Sequence, residues 1–168
     1  VKEYQKRMAS RPDLIRPRSD LTVSRLASLS QQRARDVIAY GGKSANLGEM
    51  MRARLPGIIV PNGFTIPFFY YDQFIRENKF DDTIDEMLND QKFVHDPSYR
   101  RARLKEFREQ MQKGLVNEQL RSAVLRVVHA QYPGQGLFAR SSSNSEDLPK
   151  FSGAGIHSSV PNVKGDEQ

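Results

Sequence analysis

Two cationic side chains lie where the backbone can offer them to an anion. Lys43 follows Gly41 and Gly42 and precedes Ser44, where a helical pattern begins. A lysine in a first helical turn opposes the positive end of the helix dipole, at a cost of about 0.3–1 kcal/mol that a bound anion reverses. Two glycines ahead of it let a ligand approach the backbone, and the N–H groups of a helix start suit phosphate. The spacing is not that of a P-loop, which needs a glycine five residues before the second one; position 37 is valine. A solvated lysine beside a glycine turn is the plainer alternative for this stretch.

The second cation is Arg140, in Leu137-Phe138-Ala139-Arg140-Ser141-Ser142-Ser143-Asn144-Ser145-Glu146-Asp147-Leu148-Pro149. A strand here puts Leu137 and Ala139 on one face and Phe138, Arg140 and Ser142 on the other. Arg140 then stands where an ordered strand gives way to a loop, and a guanidinium binds phosphate oxygens through two parallel hydrogen bonds. Ser141 and Ser142, with Gly153 and Gly155 further on, offer hydroxyls and unhindered backbone N–H groups. A polar turn after an edge strand is the alternative.

The elements that must position these groups follow from periodicity and punctuation. A helix opening at Gly41-Gly42-Lys43-Ser44 carries Leu47, Met50, Met51 and Leu55 on one side and ends at Pro56-Gly57. Short extended segments, Ile58–Val60 and Phe64–Ile66, flank a Pro61-Asn62-Gly63 turn. Pro67 starts a helix to about Glu77, with Tyr70, Tyr71, Phe74 and Ile75 as its stripe. Asp81 or Asp82 caps a short helix with Ile84, Met87 and Leu88 inward. Pro97 or Ser98 starts a longer one bearing Leu104, Phe107 and Met111, and Asn117 caps another bearing Leu120, Val124, Val127 and Val128. The turn 132–136 leads into the strand that ends at Arg140. The class expected is α/β (α+β), helices packed on a small mixed sheet.

Composition bounds the rest. Hydrophobic residues are 38% and charged ones 27% of 168, enough for one folded domain or a piece of a larger one. No run approaches the ~20 apolar residues of a membrane span, and the start, Val1-Lys2-Glu3-Tyr4, is not a signal peptide. The absence of cysteine excludes disulfides and thiolate zinc sites and suits a cytoplasmic location. Residues 1–28 are polar and arginine-rich, interrupted by Pro12 and Pro17, and are expected to be a lead-in or linker. The chain opens without methionine and stops at Gly165-Asp166-Glu167-Gln168 with no closing element, so it is expected to be a piece of a longer protein.

Three stretches occur in order: Gly41-Gly42-Lys43-Ser44-Ala45-Asn46-Leu47-Gly48-Glu49-Met50, Val60-Pro61-Asn62-Gly63-Phe64-Thr65, and Ala139 through Pro149. Together they resemble the ATP-binding domain of phosphoenolpyruvate synthase, pyruvate, phosphate dikinase and the related water dikinases. The resemblance runs over about residues 29–163. It implies that 29–168 is the first lobe of an ATP-grasp-like nucleotide-binding domain, incomplete here. Lys43 and Arg140 would contact the ATP phosphates, with Gly41, Gly42, Ser141 and Ser142 beside them. Phe151-Ser152-Gly153-Ala154-Gly155 would be the small loop over them. The family uses ATP and Mg²⁺ to phosphorylate a histidine on a separate carrier domain, which passes the phosphate to pyruvate or, in water dikinases, to a glucan. Its metal ligands and adenine contacts fall mostly in a second lobe, so no metal ligand is assigned here and the chain alone is expected to be inactive. The tail Ser158–Val163 is similar to the glucan water dikinases.

The remaining titratable groups carry less. His95 and His129 lack partners at metal spacing, and His157 reads as a loop histidine rather than a phosphate carrier. Glu146 and Asp147 read as braces for their loop through backbone N–H groups. A net charge of +6 raises nucleic acid as a rival partner, most plausibly through the arginines of Tyr99–Glu109. But the 26 basic residues are spread among 20 acidic ones, and Glu106 and Glu109 break that helix's positive face.

Overall fold

Glycine, proline and short polar side chains stand at the start of most of the helices. The structure, a computed structural model, describes residues 17–145, 147–148, 151–152 and 157–165. Strand β1 (Ala27–Ser28) pairs antiparallel with β2 (Phe64–Thr65), in the register Ala27 to Thr65 and Ser28 to Phe64. Between them come two 3₁₀ turns, Leu29–Gln31 and Ala34–Asp36, then helices α1 (Val37–Tyr40) and α2 (Gly42–Ala53). Five helices follow: α3 (Phe68–Glu77), α4 (Phe80–Asn89), α5 (Gln91–His95), α6 (Pro97–Gln112) and α7 (Glu118–Gln131). Strand β3 (Leu137–Arg140) pairs antiparallel with β6 (Ser159–Val163), and β4 (Asp147–Leu148) with β5 (Phe151–Ser152).

The class is α+β, but the strands differ from the single mixed sheet expected. Among the described residues they form three separate antiparallel pairs. Ile58–Val60, expected to extend beside Phe64, joins no ladder; Ile59 is 93% exposed, so nothing widens the β1–β2 pair. The described part of the lead-in is not merely a surface segment. Val23 and Ala27 pack with Ala39 and Tyr40, the Tyr40 hydroxyl donates to the Arg25 carbonyl at 2.7 Å, and the Asp20 N–H donates to the Ile38 carbonyl.

Helix α2 begins as the glycines predict, but its buried face is shifted from the expected stripe, of which Leu47 and Met51 are half-buried. Its buried residues are Ser44, Ala45 and Gly48, while Met50 and Leu55 are exposed. A methyl group at Gly48 would come within 2.7 Å of the Leu29 carbonyl oxygen and 2.6 Å of the Gln32 side chain. The helix is therefore pressed backbone-close onto the 3₁₀ turn, which only small residues permit. Gln32 lies under this contact, 1% exposed, donating to Thr65 Oγ1 at 3.3 Å while its own Oε1 has no partner.

The helical layer is centred on aromatic rings. Phe80 meets Phe74 at 5.5 Å and Phe107 edge-on at 5.7 Å, and Gly114 admits the Phe74 ring where a Cβ would strike it. Leu88 and Tyr71, expected inward, are 61% exposed. Asp81 and Asp82 fall inside the first turn of α4, which starts instead from Lys79 in the left-handed region. Helix α6 starts at Pro97, one of the two starts expected, with Asp96 as its cap. Asn117 caps α7 as expected, accepting from Gln119 N–H at 2.9 Å. Tyr132, buried at the end of α7, stacks on Phe64 and so fixes where the chain turns into β3.

Candidate functional site

The start of α2 and the end of β3 are joined directly. Gly41 has φ +87° and ψ 166°, a region open essentially to glycine alone. A Cβ there would fall inside contact distance of the Ser142 carbonyl oxygen and 2.6 Å from Ser142 Oγ. That close approach lets two hydrogen bonds form. Gly42 N–H donates to the Ser143 carbonyl at 2.9 Å, and Ser44 N–H donates to Ser142 Oγ at 3.1 Å. Ser142 thereby serves as the side-chain cap of α2 from almost a hundred residues away. Because its hydroxyl accepts there, its own proton remains able to donate.

These bonds revise one expectation. The first-turn N–H groups of α2 were expected to face a phosphate; instead Gly42 and Ser44 donate to the loop after β3, and Ala45 to Gly41 O at 3.2 Å. Lys43, between these donors, is half-buried. Arg140 is exposed and two residues before the capping hydroxyl. Its guanidinium lies 5.9 Å over the Phe138 ring, so the two share a strand face as their spacing predicted.

The loop is held from its other side as well. Ser145 N–H donates to Ser143 Oγ at 3.0 Å, and the Ser143 and Ser145 hydroxyls are 2.7 Å apart. The Asn144 amide donates to Arg18 O at 2.9 Å and Ser19 Oγ at 3.0 Å. Residues 141–145 are half-buried throughout. Gly41, Gly42 and Ser44, flanking Lys43, thus meet Ser142 and Ser143, which follow Arg140 and Ser141. Gly153 and Gly155 lie outside the described residues, as does Glu146, and Asp147 is described only as part of β4.

Other groups named from sequence sit elsewhere. His157 is exposed in a bend, and His95 bonds Gln91 within its own helix at 3.2 Å. Among the described residues no three His, Cys, Asp or Glu side chains cluster as a protein-only metal site would need. On α6, Arg103 pairs with Glu106 at 2.8 Å and Lys105 with Glu109 at 3.9 Å, which makes that face a mixed, solvated one. Neither of two open hollows on the surface is lined by Lys43 or Arg140. One, of about 440 Å³, lies between residues 20–27 and 31–40; the other, of about 490 Å³, lies at the far end of α2. No helix among the described residues is long and apolar enough to cross a membrane. Sequence reading missed Ser142 as a cap, because nothing local ties position 142 to position 44.

Comparison with known proteins bears on this junction. The family model of the pyruvate phosphate dikinase AMP/ATP-binding domain matches residues 37–168, from α1 through both cation-bearing segments. A probable phosphoenolpyruvate synthase of Methanocaldococcus jannaschii is 33% identical over 147 residues, covering 84% of this chain and 12% of that protein. Phosphoenolpyruvate synthase of Deinococcus radiodurans is 30% identical over 157 residues, covering 93% of this chain and 19% of its own length. That of Escherichia coli K12 is 30% identical over 135 residues, 77% of this chain and 17% of its own. The chain thus spans less than a fifth of each of these relatives.

Proposed function

Since the chain belongs to the pyruvate phosphate dikinase AMP/ATP-binding domain family, we propose that it is the ATP-binding portion of a dikinase whose parent protein phosphorylates a carrier histidine for transfer to pyruvate. In this reading it is the first lobe, residues 29–168, of an ATP-grasp-like domain, and the lead-in before it connects to whatever precedes. Lys43 and Arg140 hold the phosphates of ATP; Ser141 and the Ser142 hydroxyl donate to the same oxygens. Phosphoryl transfer asks mainly for positioning and charge neutralisation, which two cations at one junction supply. The observation that supports this most is the hydrogen-bonded contact of Gly42 and Ser44 with Ser143 and Ser142, because it ties the backbones bearing both cations together.

Mg²⁺, when bound, would neutralise part of the triphosphate charge; its ligands are expected from a second lobe, as the family resemblance implies. The partners implied are that lobe, the phosphohistidine domain of the same parent chain, and pyruvate as acceptor. The parent is expected to be cytoplasmic. A glucan acceptor is the second reading, favoured only by the likeness of the Ser158–Val163 tail to glucan water dikinases. The test is radiolabel transfer in the full-length parent from ATP labelled at the β-phosphate. Lys43→Ala and Arg140→Ala should each abolish labelling of the carrier histidine while leaving the circular dichroism spectrum unchanged. Wild-type labelling in both variants overturns the assignment. Tight duplex binding by this chain, weakening steeply with salt, would favour the nucleic-acid reading instead.

A further inference from the structure

The far end of α2 carries a second basic feature that the nucleotide reading does not use. A hollow of about 490 Å³ is lined by Ser30, Arg33, Met51, Arg52 and Arg54, three arginines with no acidic residue among the lining. At about 1.5 Å per residue along the twelve residues of α2, it stands about 18 Å from the Lys43 end.

The arginines come from two elements that are clamped together. The Ala34 N–H donates to Glu49 Oε1 at 2.9 Å, which fastens the second 3₁₀ turn to α2. Arg33 is fixed by its own loop: Nη1 donates to Ser30 O at 3.0 Å and Gln32 O at 2.6 Å, which leaves Nε and Nη2 for another acceptor. The carboxylates nearest in sequence are engaged by backbone, Asp36 by Arg33 N–H at 2.8 Å and Glu49 by Ala34 N–H. Among the described residues no carboxylate pairs with Arg33, Arg52 or Arg54.

Arg54 is the second independent sign. It ends α2 at φ 47° and ψ 46°, the left-handed conformation in which helices ordinarily place glycine. A cation near a helix C-terminus is favoured by the dipole. That accounts for one charge there; it does not account for a non-glycine residue in this conformation, nor for Arg33 arriving from another element.

We propose that this hollow is a binding site for a small polyanion carrying two or more phosphate or carboxylate groups, held by forked contacts from Arg33, Arg52 and Arg54. The test is calorimetric titration of the full chain with pyrophosphate and, separately, citrate, at constant ionic strength set by sodium chloride. In Lys43→Ala/Arg140→Ala, where the nucleotide junction does not compete for pyrophosphate, one of the two is expected to saturate a single site, and which one binds separates phosphate from carboxylate chemistry. Affinity should fall by about tenfold or more in Arg52→Gln/Arg54→Gly and about threefold in Arg52→Gln alone, on the scale of lost charge-assisted hydrogen bonds. It should be unchanged in Lys43→Ala/Arg140→Ala, which keeps this site distinct from the nucleotide junction. Arg54→Gly puts the accepting residue at a left-handed position, so the double variant is expected to melt no lower than wild type. Binding undiminished in both arginine variants, binding lost only in the Lys43/Arg140 variant, or no saturable binding of either anion would overturn the proposal.

Discussion

Replacing Gly41 by alanine probes the junction more sharply than removing either cation, because it attacks the geometry and leaves the charges in place. Two costs add. Alanine at φ +87° and ψ 166° carries about 1–3 kcal/mol of backbone strain. Its Cβ also collides with the Ser142 backbone, which cannot swing aside as a flexible side chain would. The less costly escape is for residues 141–143 to lift off, forfeiting the Gly42–Ser143 and Ser44–Ser142 hydrogen bonds at about 0.5–1.5 kcal/mol each. The expected loss is therefore about 2–6 kcal/mol, a large share of a stability typically about 5–15 kcal/mol. Gly57→Ala is the matched control: φ is +76° there, but nothing lies within 4 Å of the added Cβ, so only strain is felt. Urea denaturation of both variants gives the difference, and amide exchange at Gly42 and Ser44 reports whether the loop has left. If Gly41→Ala costs no more than Gly57→Ala, or both amides keep wild-type protection, the docking of strand end on helix start is not what demands glycine.

Four further outcomes are expected. Ser142→Ala should cost about 1 kcal/mol and speed exchange at the Ser44 amide, since it removes the cap without forcing the loop away. Asn117→Ala should cost about 1 kcal/mol in thermal or urea unfolding, and Asn117→Ser much less, because serine can still accept from Gln119 N–H. Gln32→Met should change stability by no more than about 1 kcal/mol in either direction, as it removes a buried, unpartnered acceptor but also the 3.3 Å donation from Nε2 to Thr65 Oγ1; a larger drop in the urea midpoint would contradict this. Bonds from the Tyr99 and Ser98 N–H groups hold the Asp96 carboxyl below the usual carboxylate range. Its contribution to stability is therefore present above the unfolded-state pKa and lost as pH falls through the lower folded value. Asp96→Asn should flatten that acid limb of a stability–pH curve.

How far the sequence reveals this molecule depends on whether the deciding contact is local. Helix starts at Gly42 and after Asn117 were legible because a glycine pair and an Asx cap act within three residues of themselves. The short α5 was not anticipated, although Asp90, accepting from Lys92 N–H, is the punctuation that begins it. The buried face of α2 was misread for a different reason. Leu47, Met50, Met51 and Leu55 obey helical periodicity, yet the helix turns Ser44, Ala45 and Gly48 inward. Hydrophobic pattern finds faces that bury side chains; it is blind to faces that let two backbones touch. The strand pairing suffers likewise, since Ala27–Ser28 sits in a stretch whose composition is that of a linker and gains its ladder only from Phe64–Thr65.

The same distinction explains why the junction reads as a site in sequence and yet is built differently in three dimensions. Each cation was assigned its anion through the local backbone, a helix start for Lys43 and a strand end for Arg140. In the structure those two backbones satisfy each other: two first-turn donors of α2 are consumed by the loop that follows Arg140. On the proposed reading, a phosphate bound there is held more by the side chains of Lys43 and Arg140 than by the N–H groups of Gly42 and Ser44. The glycines matter instead because they allow the approach. A helix start capped by a remote loop also fixes the spacing of the two cation-bearing backbones before any ligand arrives, so the ordering entropy of bringing them together is met in folding rather than in binding. Loosening the cap should therefore weaken nucleotide binding even with both cations intact, and Ser142→Ala should do so less than Gly41→Ala.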